Sequence, residues 1–312
     1  MIYFLLPNVH YKIYENLDCI VSENPPKSMI SNSLSYYLYE IKYKIDKCEK
    51  DWDIYKKYTN PYEYITTVPP SRNKCISKYK SLSRSYYKMI EIMENFNLLN
   101  KSEKIKTFHL AEGPGGFIEA ILNTRNNEKD CYTGITLLED MNDVNIPSWS
   151  KSEEFLKNNK NVFIENGIDK TGNILSIENF KHCVEKYGSS MDIITGDGGF
   201  DFSMDFNNQE INITKLLFAQ LCYAVCLQRQ GGHFVLKIFD CFMQHTIDIM
   251  YILSSFYKKV YICKPQTSRY ANSEKYVVCK GFLFSSNKKF YSHFYQILDI
   301  IIKSNEHIFR LC

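Results

Sequence analysis

The chain has 312 residues, of which 45% are hydrophobic, and its formal net charge at pH 7 is +3. This length allows one large domain, or one domain with an extension, and the apolar content is sufficient for a sizeable core. The small net charge excludes a strongly basic chain, so bulk charge provides no evidence of nucleic-acid binding.

The cysteines and the amino terminus indicate the compartment. Eleven cysteines are scattered along the chain without a Cys-X-X-Cys pair. Cys222 and Cys226 have helical spacing, but no His or Cys cluster beside them completes a metal site. The apolar amino-terminal run is interrupted by Pro7 and is too short for a membrane span. We therefore expect free thiols in a reducing intracellular compartment, the cytoplasm or nucleus, and no membrane contact.

Residues 1–75 are predicted to form an amino-terminal extension ahead of a domain at residues 76–312. The extension is rich in Tyr, Lys and Glu, and residues 33–50 have apolar positions near one face, which predicts a helix. An aromatic residue and two lysines follow this helix, at Trp52, Lys56 and Lys57. This mixture suits base stacking and phosphate contact, and it equally suits a solvated helix end.

An amphipathic helix is predicted at residues 81–97, with Ser83 as its N-terminal capping residue. Arg84 and Lys88 are four positions apart, so their side chains are expected to be neighbours on the helix surface. A lysine on a helix is usually only solvated, and Lys88 therefore gains significance only together with other residues.

Residues 107–122 read as a strand, a glycine turn and a helix. The apolar run stops at Glu112, and the helical pattern begins at Phe117. Between them lie Gly113, Pro114, Gly115 and Gly116. Glycine lets a ligand approach the backbone, and the free N–H groups of the helix's first turn would point at it. The spacing is not the dinucleotide fingerprint and there is no Walker lysine, so the turn predicts a cofactor loop of unspecified cargo, with an ordinary strand-to-helix turn as the alternative.

The rest of the chain alternates strands with helices. Further strands are predicted at residues 131–137, 161–164, 191–195, 233–239, 259–263 and 275–283. Helices are predicted at residues 176–187, 211–229, 246–257 and 290–302, the second of them ended by Gly231 and Gly232. Such alternation predicts a mostly parallel sheet with helices on both faces. The last two strands are too close for an intervening helix, so we expect a hairpin and one antiparallel late strand in an α/β fold of about seven strands.

Charged residues cluster where ligands bind in open α/β sheets, at the carboxyl ends of the strands. The residues at or near these ends are Glu112, Asp197, Lys237 and Glu274, and Lys88 lies in the helix before the first strand. Lysines and acids that converge at one sheet edge are costly unless they are paired or used. Lys237 stands within an apolar strand, so it either points outward at the strand end or is held in a site by acids.

These residues resemble the K-D-K-E tetrad of the FtsJ/RrmJ-like RNA 2′-O-methyltransferases. The tetrad positions are Lys88, Asp197, Lys237 and Glu274. Residues 111–117, 196–200 and 231–240 are similar to the family's cofactor loop, aspartate motif and second-lysine strand. Residues 60–63, 264–269 and 271–281 resemble stretches of the mRNA cap-1 enzymes of eukaryotes and large DNA viruses. A composition rich in Lys, Ile, Asn and Tyr is compatible with a viral source, which would place the protein in a virion or host cytoplasm.

The resemblance implies a Rossmann-like methyltransferase fold, S-adenosyl-L-methionine as cofactor and 2′-O-methylation of the first transcribed nucleotide of capped mRNA. On this interpretation Lys237 takes the hydroxyl proton, and the neighbouring cation of Lys88 lowers its pKa from a reference value near 10.4. Asp197 and Glu274 orient both lysines. No metal is required, because the sulfonium is already activated and catalysis needs mostly positioning.

Contacts with the cofactor and RNA are implied by the same resemblance. The cofactor residues are Glu112, Gly113, Pro114, Gly115, Gly116, Phe117, Thr136, Leu137, Asp169, Asn173 and Asp197. The second strand has no acid at its end before Glu139 and Asp140, and Asn173 stands where cap enzymes have an acid, so the adenine contacts depart from the family pattern. The RNA residues are Trp52, Lys56, Lys57, Arg84, Ser268, Arg269 and Asn272.

The implied partners are the capped mRNA 5′ end and, because the chain lacks large added domains, other capping or transcription factors. Two alternatives stay open. The same chemistry could act on rRNA, tRNA or the second cap nucleotide, or the chain could be a non-catalytic RNA-binding subunit of the same fold.

Overall fold

The computed structural model describes residues 1–9, 13–70, 72–99, 103–138, 149–199 and 208–312. Within these ranges the strands are β1 Ile2–Leu5, β2 Ile20–Ser22, β3 Lys106–Leu110, β4 Cys131–Ile135, β5 Val162–Glu165, β6 Met191–Gly196, β7 Gln228–Ile238, β8 Tyr257–Lys264, β9 Lys275–Phe282 and β10 His307–Arg310. The helices are α1 Asn32–Lys42, α2 Trp52–Tyr58, α3 Ser85–Phe96, α4 Gly116–Arg125, α5 Glu153–Asn158, α6 Ile177–Tyr187, α7 Gln209–Asn212, α8 Thr214–Leu227, α9 Gln244–Phe256 and α10 Tyr291–Lys303.

The central sheet has eight described strands in the order β1-β8-β9-β7-β6-β3-β4-β5. The pairs β3–β4, β3–β6, β4–β5 and β6–β7 are parallel. Strand β9 runs antiparallel to both β7 and β8, so the predicted late hairpin and its reversed strand are confirmed. The predicted fold class is confirmed as well, with β1 added antiparallel to β8 at one edge.

Helices cover both faces of this sheet, and strand alternation decides which residue faces which layer. Phe234 and Leu236 of β7 belong to the core cluster that contains α8, α9 and α10. Val235 belongs to the cluster on the other face, with residues of α3 and α4. Lys237 follows two positions after Val235, so it projects toward the α3 and α4 side.

Two predicted boundaries are wrong. The predicted helix at residues 211–229 consists of α7 and α8, and β7 begins at Gln228, so Gly231 and Gly232 lie inside a strand. A Cβ on Gly232 would come within 2.8 Å of the carbonyl oxygen of Asp192, so this glycine allows β7 to approach β6. Helix α3 begins at Ser85, and the predicted cap by Ser83 is absent, because its hydroxyl contacts the Ser85 hydroxyl instead of a backbone N–H.

Two described strand pairings join the amino-terminal segment to the rest of the molecule. Strand β1 extends the central sheet, and β2 pairs with β10 in a two-stranded sheet. The predicted helix at residues 33–50 is α1 followed by a 3-10 helix at Ile45–Asp51. Within the described ranges, no helix is long and apolar enough to cross a membrane. All eleven cysteines are free, and Cys222 and Cys226 are fully buried in α8.

Candidate active site

Four charged side chains from distant parts of the chain meet at the carboxyl ends of the parallel strands. They are Lys88 in α3, Asp197 directly after β6, Lys237 near the end of β7 and Glu274 directly before β9. Lys88 Nζ lies 2.8 Å from Glu274 Oε2, and Lys237 Nζ lies 3.3 Å from Asp197 Oδ1. We call these contacts the two lysine–carboxylate pairs. The structure therefore brings together the four residues that the sequence analysis assigned to one edge.

The first pair is held in a buried network. Glu274 is 7% exposed, and its Oε1 accepts a hydrogen bond from Ser268 Oγ at 2.7 Å. Burial alone would raise the pKa of Glu274, but the positive charges of Lys88 and Lys237 and the hydrogen bonds to the carboxylate lower this pKa to about 2. Glu274 is therefore ionised at neutral pH, and both of its oxygens are engaged.

The second pair is fixed from two sides. Lys237 Nζ also donates to the carbonyl oxygen of Asp197 at 2.6 Å, and the Tyr276 hydroxyl donates to Asp197 Oδ1 at 3.0 Å. Burial and the nearby Asp197 charge raise the pKa of Tyr276, so its hydroxyl keeps the proton that it donates. A Cβ on Gly199 would lie 3.2 Å from Lys237 Nζ, so the glycine leaves space for the ammonium group.

Glu112 occupies the turn between β3 and α4. Its Oε1 accepts hydrogen bonds from the backbone N–H of Phe117 at 2.7 Å and of Ile118 at 3.0 Å. These two N–H groups are thus not free for a ligand, which corrects the expectation for the helix's first turn. In the described part of the chain Glu112 Oε2 is buried without a hydrogen-bond partner. A buried carboxylate oxygen of this kind suits a cationic ligand group rather than a phosphate.

The segments that form the turn and the two lysine–carboxylate pairs match a known protein family. The FtsJ-like methyltransferase family matches residues 81–282, which include the turn and all four paired residues. The chain belongs to this family. The match leaves residues 1–80 and 283–312 outside it.

Curated relatives of this FtsJ-like methyltransferase include enzymes named cap-specific mRNA (nucleoside-2′-O-)-methyltransferase 1. The Mus musculus protein is 30% identical over an alignment of 295 residues that covers 84% of this chain and 34% of the relative. The Trypanosoma brucei brucei protein is 32% identical over 198 residues, 63% of this chain and 52% of the relative. The Danio rerio protein is 38% identical over 176 residues, 54% of this chain and 20% of the relative. The chain therefore spans about half or less of the length of these relatives.

Burial of Glu112 predicts a pH-dependent stability for the ligand-free methyltransferase. Burial and the Asp197 charge raise the pKa of Glu112 from 4.5 to about 8. The hydrogen bonds from the Ile118 and Phe117 backbones and the charge of Lys237 lower this pKa but do not offset the rise. Stability due to its neutral form is thus present below pH 4.5 and lost as pH rises through about 8. Glutamine does not ionise, so Glu112→Gln should not lose this stability. Between pH 5 and pH 9 the free energy of unfolding of the variant should therefore rise by on the order of 4 kcal/mol relative to that of wild type.

Urea unfolding of both ligand-free proteins at pH 5, 7 and 9 measures this effect. The wild-type protein at each pH is the control, because all other titrating groups are shared. A difference in the free energy of unfolding that stays constant with pH would contradict the raised pKa of Glu112.

The remaining residues of the glycine turn have mainly structural contacts. Gly115 has a φ of 105°, a left-handed conformation that favours glycine. A Cβ on Gly116 would lie 2.2 Å from the hydroxyl oxygens of Ser83 and Ser85, so Gly116 allows α4 to pack against the start of α3. Phe117 is fully buried. Gly113 and Pro114 are half-buried, and the Pro114 carbonyl accepts a hydrogen bond from Ser152.

The predicted adenine-side residues lie in two adjoining segments. Thr136 is buried and Leu137 is exposed after β4, and Leu138 N–H donates to Thr171 O at 2.9 Å. Asp169 Oδ1 accepts hydrogen bonds from Thr171 and from the Asn179 amide at 2.8 Å. Asn173 Oδ1 accepts from the N–H of Leu175 at 2.9 Å. These bonds organise the loop after β5 internally, and Glu139, Asp140 and Phe200 lie outside the described residues.

The predicted RNA residues of the β8–β9 loop are engaged within the protein. Ser268 is fully buried, and its hydroxyl donates a hydrogen bond that orients the Glu274 carboxylate. Arg269 and Arg84 both contact Glu63. Asn272 is exposed and accepts hydrogen bonds from Lys264 Nζ. An open cleft at this position is lined by Tyr62, Ile65, Thr66, Arg84, Tyr87 and Thr267.

The other predicted RNA residues lie on α2. Trp52, Lys56 and Lys57 are half-buried there, and α2 packs on the 3-10 helix Ile45–Asp51. The helix is connected to the site through the turn that follows it, because Asn60 and Glu63 lie in that turn and Glu63 contacts both arginines.

Sequence reasoning assigned no role to two residues that support the pairs. Tyr276 holds Asp197, and its position two residues after Glu274 on the same strand face was an available signal. Lys264 Nζ donates to the carbonyl oxygens of Asn272 and Glu274, both at 2.8 Å. Burial, together with the charges of Lys275 and Lys88, lowers the pKa of Lys264 to about 8, although Glu274 and Asp240 oppose the shift. Lys264 thereby fixes the backbone from which Glu274 projects.

Proposed function

We propose that the chain catalyses S-adenosyl-L-methionine-dependent methylation of the ribose 2′-hydroxyl of the first transcribed nucleotide of capped mRNA. The observation that carries this proposal is the convergence of the two lysine–carboxylate pairs beside the Glu112 turn. The names of the curated relatives, which are cap-specific mRNA methyltransferases, favour capped mRNA over another RNA.

The charge of the turn fits the methionine end of this cofactor. Glu112 already occupies the N-terminal amides of α4, and its second buried oxygen is available to a cation. Glu112 would therefore hold the ammonium group, and the backbone around Gly113 and Gly115 would border the ligand. Thr136, Leu137 and the loop with Asp169 and Asn173 would contact the adenosine end. When bound, the cofactor supplies a methyl group activated on a sulfonium and leaves as a neutral thioether.

Lys237 is the residue that takes the proton. Its Nζ in the neutral form accepts the 2′-hydroxyl proton while the hydroxyl oxygen forms the new bond to the methyl carbon. The Asp197 carboxylate and carbonyl restrict where this nitrogen can lie, and Tyr276 restricts the carboxylate in turn. The positive charge of Lys88 is balanced by the Glu274 carboxylate, so the site holds a second ammonium group without an unpaired charge. The contribution of these residues is proton transfer and positioning.

The RNA would reach the pairs across the β8–β9 loop and α2. Arg84, Arg269 and Asn272 would contribute contacts near the target nucleotide, and Trp52 with the two adjacent lysines would contribute contacts toward the cap. Residues 1–75 would then contribute to RNA binding ahead of a methyltransferase domain at residues 76–312. Because the relatives are longer, we include other capping or transcription factors as partners, in the nucleus or cytoplasm.

Methyl transfer to short RNAs of identical sequence tests this function. We expect methylation of RNA with a 7-methylguanosine cap to exceed methylation of the 5′-triphosphate RNA by at least about tenfold, since a cap-reading site would lose its contacts on the uncapped RNA. Nuclease digestion and mass spectrometry of the product should locate the methyl group on the first transcribed nucleotide.

Each other outcome selects an alternative. Equal activity on uncapped RNA would overturn cap specificity in favour of another RNA substrate. Methylation of the second transcribed nucleotide would identify that nucleotide as the target. RNA binding without methyl transfer to any substrate would indicate a non-catalytic subunit. The Lys237→Met variant controls for contaminating activity.

A further inference from the structure

Glu63 is a buried carboxylate from the amino-terminal segment that contacts both the start of α3 and the β8–β9 loop. Its side chain has no exposed surface. Arg84 Nη1 lies 2.5 Å from Oε2, and Arg269 donates from Nε to Oε2 at 3.0 Å and from Nη2 to Oε1 at 2.9 Å. Asn60 and Thr67 donate to the same carboxylate. We call this group the Glu63 clamp.

The electrostatics of the clamp favour a permanent contact. Burial alone would raise the pKa of Glu63, but the hydrogen bonds and charges of Arg269 and Arg84 lower it to about 2. The Glu63 carboxylate is therefore ionised throughout the neutral pH range. It forms one ion pair with Arg84 and another with Arg269. Removing one member of such a buried group leaves uncompensated charge, which is strongly destabilising locally.

The clamp contacts the two elements that supply the first lysine–carboxylate pair. Arg84 is one helical turn before Lys88, at the start of α3. Arg269 lies in the β8–β9 loop, five residues before Glu274. Arg84 also donates to the carbonyl oxygen of Thr267 at 3.2 Å, so α3 and the loop are tied directly as well.

A second acid, which lies in α3, fixes the same loop. Glu91 accepts the backbone N–H of Gln266 at 2.7 Å and of Thr267 at 3.2 Å. Glu63 and Glu91 therefore hold the loop at two successive points, and Ser268 then orients Glu274 directly. The position of Glu274 relative to Lys88 depends on this chain of contacts.

We propose that Glu63 is a positioning residue for catalysis, acting through Arg84 and Arg269 on the Lys88–Glu274 pair. This inference rests on the proposed function, because it concerns the same methyl transfer. It makes the turn at residues 60–63 part of the catalytic architecture. The competing idea is that Glu63 occupies arginines that RNA phosphate would otherwise bind, in which case its loss would tighten RNA binding.

The test compares Glu63→Gln with Asp130→Asn. Like Glu63, Asp130 has a fully buried carboxylate; it pairs with Arg125, whose side chain is 1% exposed, and it lies directly before β4, at the amino end of that parallel strand. Glu63→Gln should lower kcat by at least about tenfold, with KM for capped RNA changed less than about threefold, because misplacement of reacting groups acts on the chemical step. Asp130→Asn should lower stability without lowering kcat. Glu63→Asp keeps the charge and should recover part of the lost kcat.

Hydrogen–deuterium exchange gives a readout that does not depend on activity. In Glu63→Gln, peptides covering residues 265–274 should exchange faster than in wild type, whereas Asp130→Asn should leave them unchanged. Faster exchange of these peptides in Glu63→Gln, together with a wild-type protein that methylates no RNA, would overturn the proposed function and leave the structural role of the Glu63 clamp intact. Unchanged loop exchange with full kcat in Glu63→Gln would overturn the clamp, and so would a lower KM at unchanged kcat.

Discussion

Replacement of Lys237 by methionine is expected to abolish most methyl transfer, with kcat falling between about a hundredfold and ten-thousandfold. Methionine has a similar length and is tolerated in a buried strand, but it cannot accept the hydroxyl proton. Lys237 Nζ contacts both the carbonyl oxygen and the carboxylate of Asp197, whereas the other amine of the site, Lys88, is paired with Glu274 at 2.8 Å. The loss should appear in kcat at saturating cofactor and capped RNA, with the dissociation constant for S-adenosyl-L-methionine nearly unchanged.

Lys280→Met is the matched control for this variant. Lys280 lies on β9 opposite His233 of β7, and its ammonium group donates to the carbonyl oxygen of Phe96. The same substitution is thus made on a half-buried lysine of the neighbouring strand, opposite a β7 residue that lies four positions before Lys237. It should leave kcat unchanged. Retention of more than about a tenth of wild-type kcat in Lys237→Met would show that another group takes the proton.

Much of the central sheet was predictable, because most of its strands are short, buried segments that the local sequence pattern indicates. Strand β6 and the following Asp197, like β3 and the following Glu112, are apolar runs ended by an acid. Parallel strands bring such ends to one edge, so the convergence of these residues follows from the sequence pattern. The exception inside β7 was equally informative, because Lys237 interrupts a run whose neighbours are fully buried.

Nonlocal pairings were not predictable in the same way. Strand β1 is only four residues long, and each of them is exposed, so no alternation signals that it joins the sheet edge beside β8. Strand β2 pairs with β10 from the other end of the chain. Glu63 meets Arg269 across 206 residues of sequence, and nothing local to either residue specifies that contact.

Glu112 shows how local pattern and chemistry can differ. A glycine turn ahead of a helix predicts free backbone amides, and that geometry usually attracts an anion. Here the carboxylate of Glu112 folds back onto the amides of Phe117 and Ile118. The site therefore presents the unpartnered Oε2 of a buried acid instead of free helix amides, and this difference depends on one side-chain conformation.

Glu274→Gln is expected to have the second largest effect on kcat and to lower stability as well, because it breaks the buried Lys88 pair from the acid side. The folded pKa of about 2, compared with 4.5 for the ordinary group, corresponds to stability on the order of 3 kcal/mol. This stability is present above pH 4.5 and is lost as pH falls toward 2. Urea unfolding should therefore find the variant less stable by that amount at pH 7, and the difference should shrink below pH 4.5.

The same substitution should lower kcat by about a hundredfold, since Lys88 loses its only described carboxylate partner and the first pair loses its geometry. Asp130→Asn separates the two effects. It breaks a buried pair whose acid also has a lowered pKa, so it should reduce stability while kcat is retained. Full kcat in Glu274→Gln at a temperature where the variant is folded would show that Glu274 stabilises the fold without positioning Lys88. A stability difference that persists unchanged below pH 4.5 would show that its charge is not what stabilises the site.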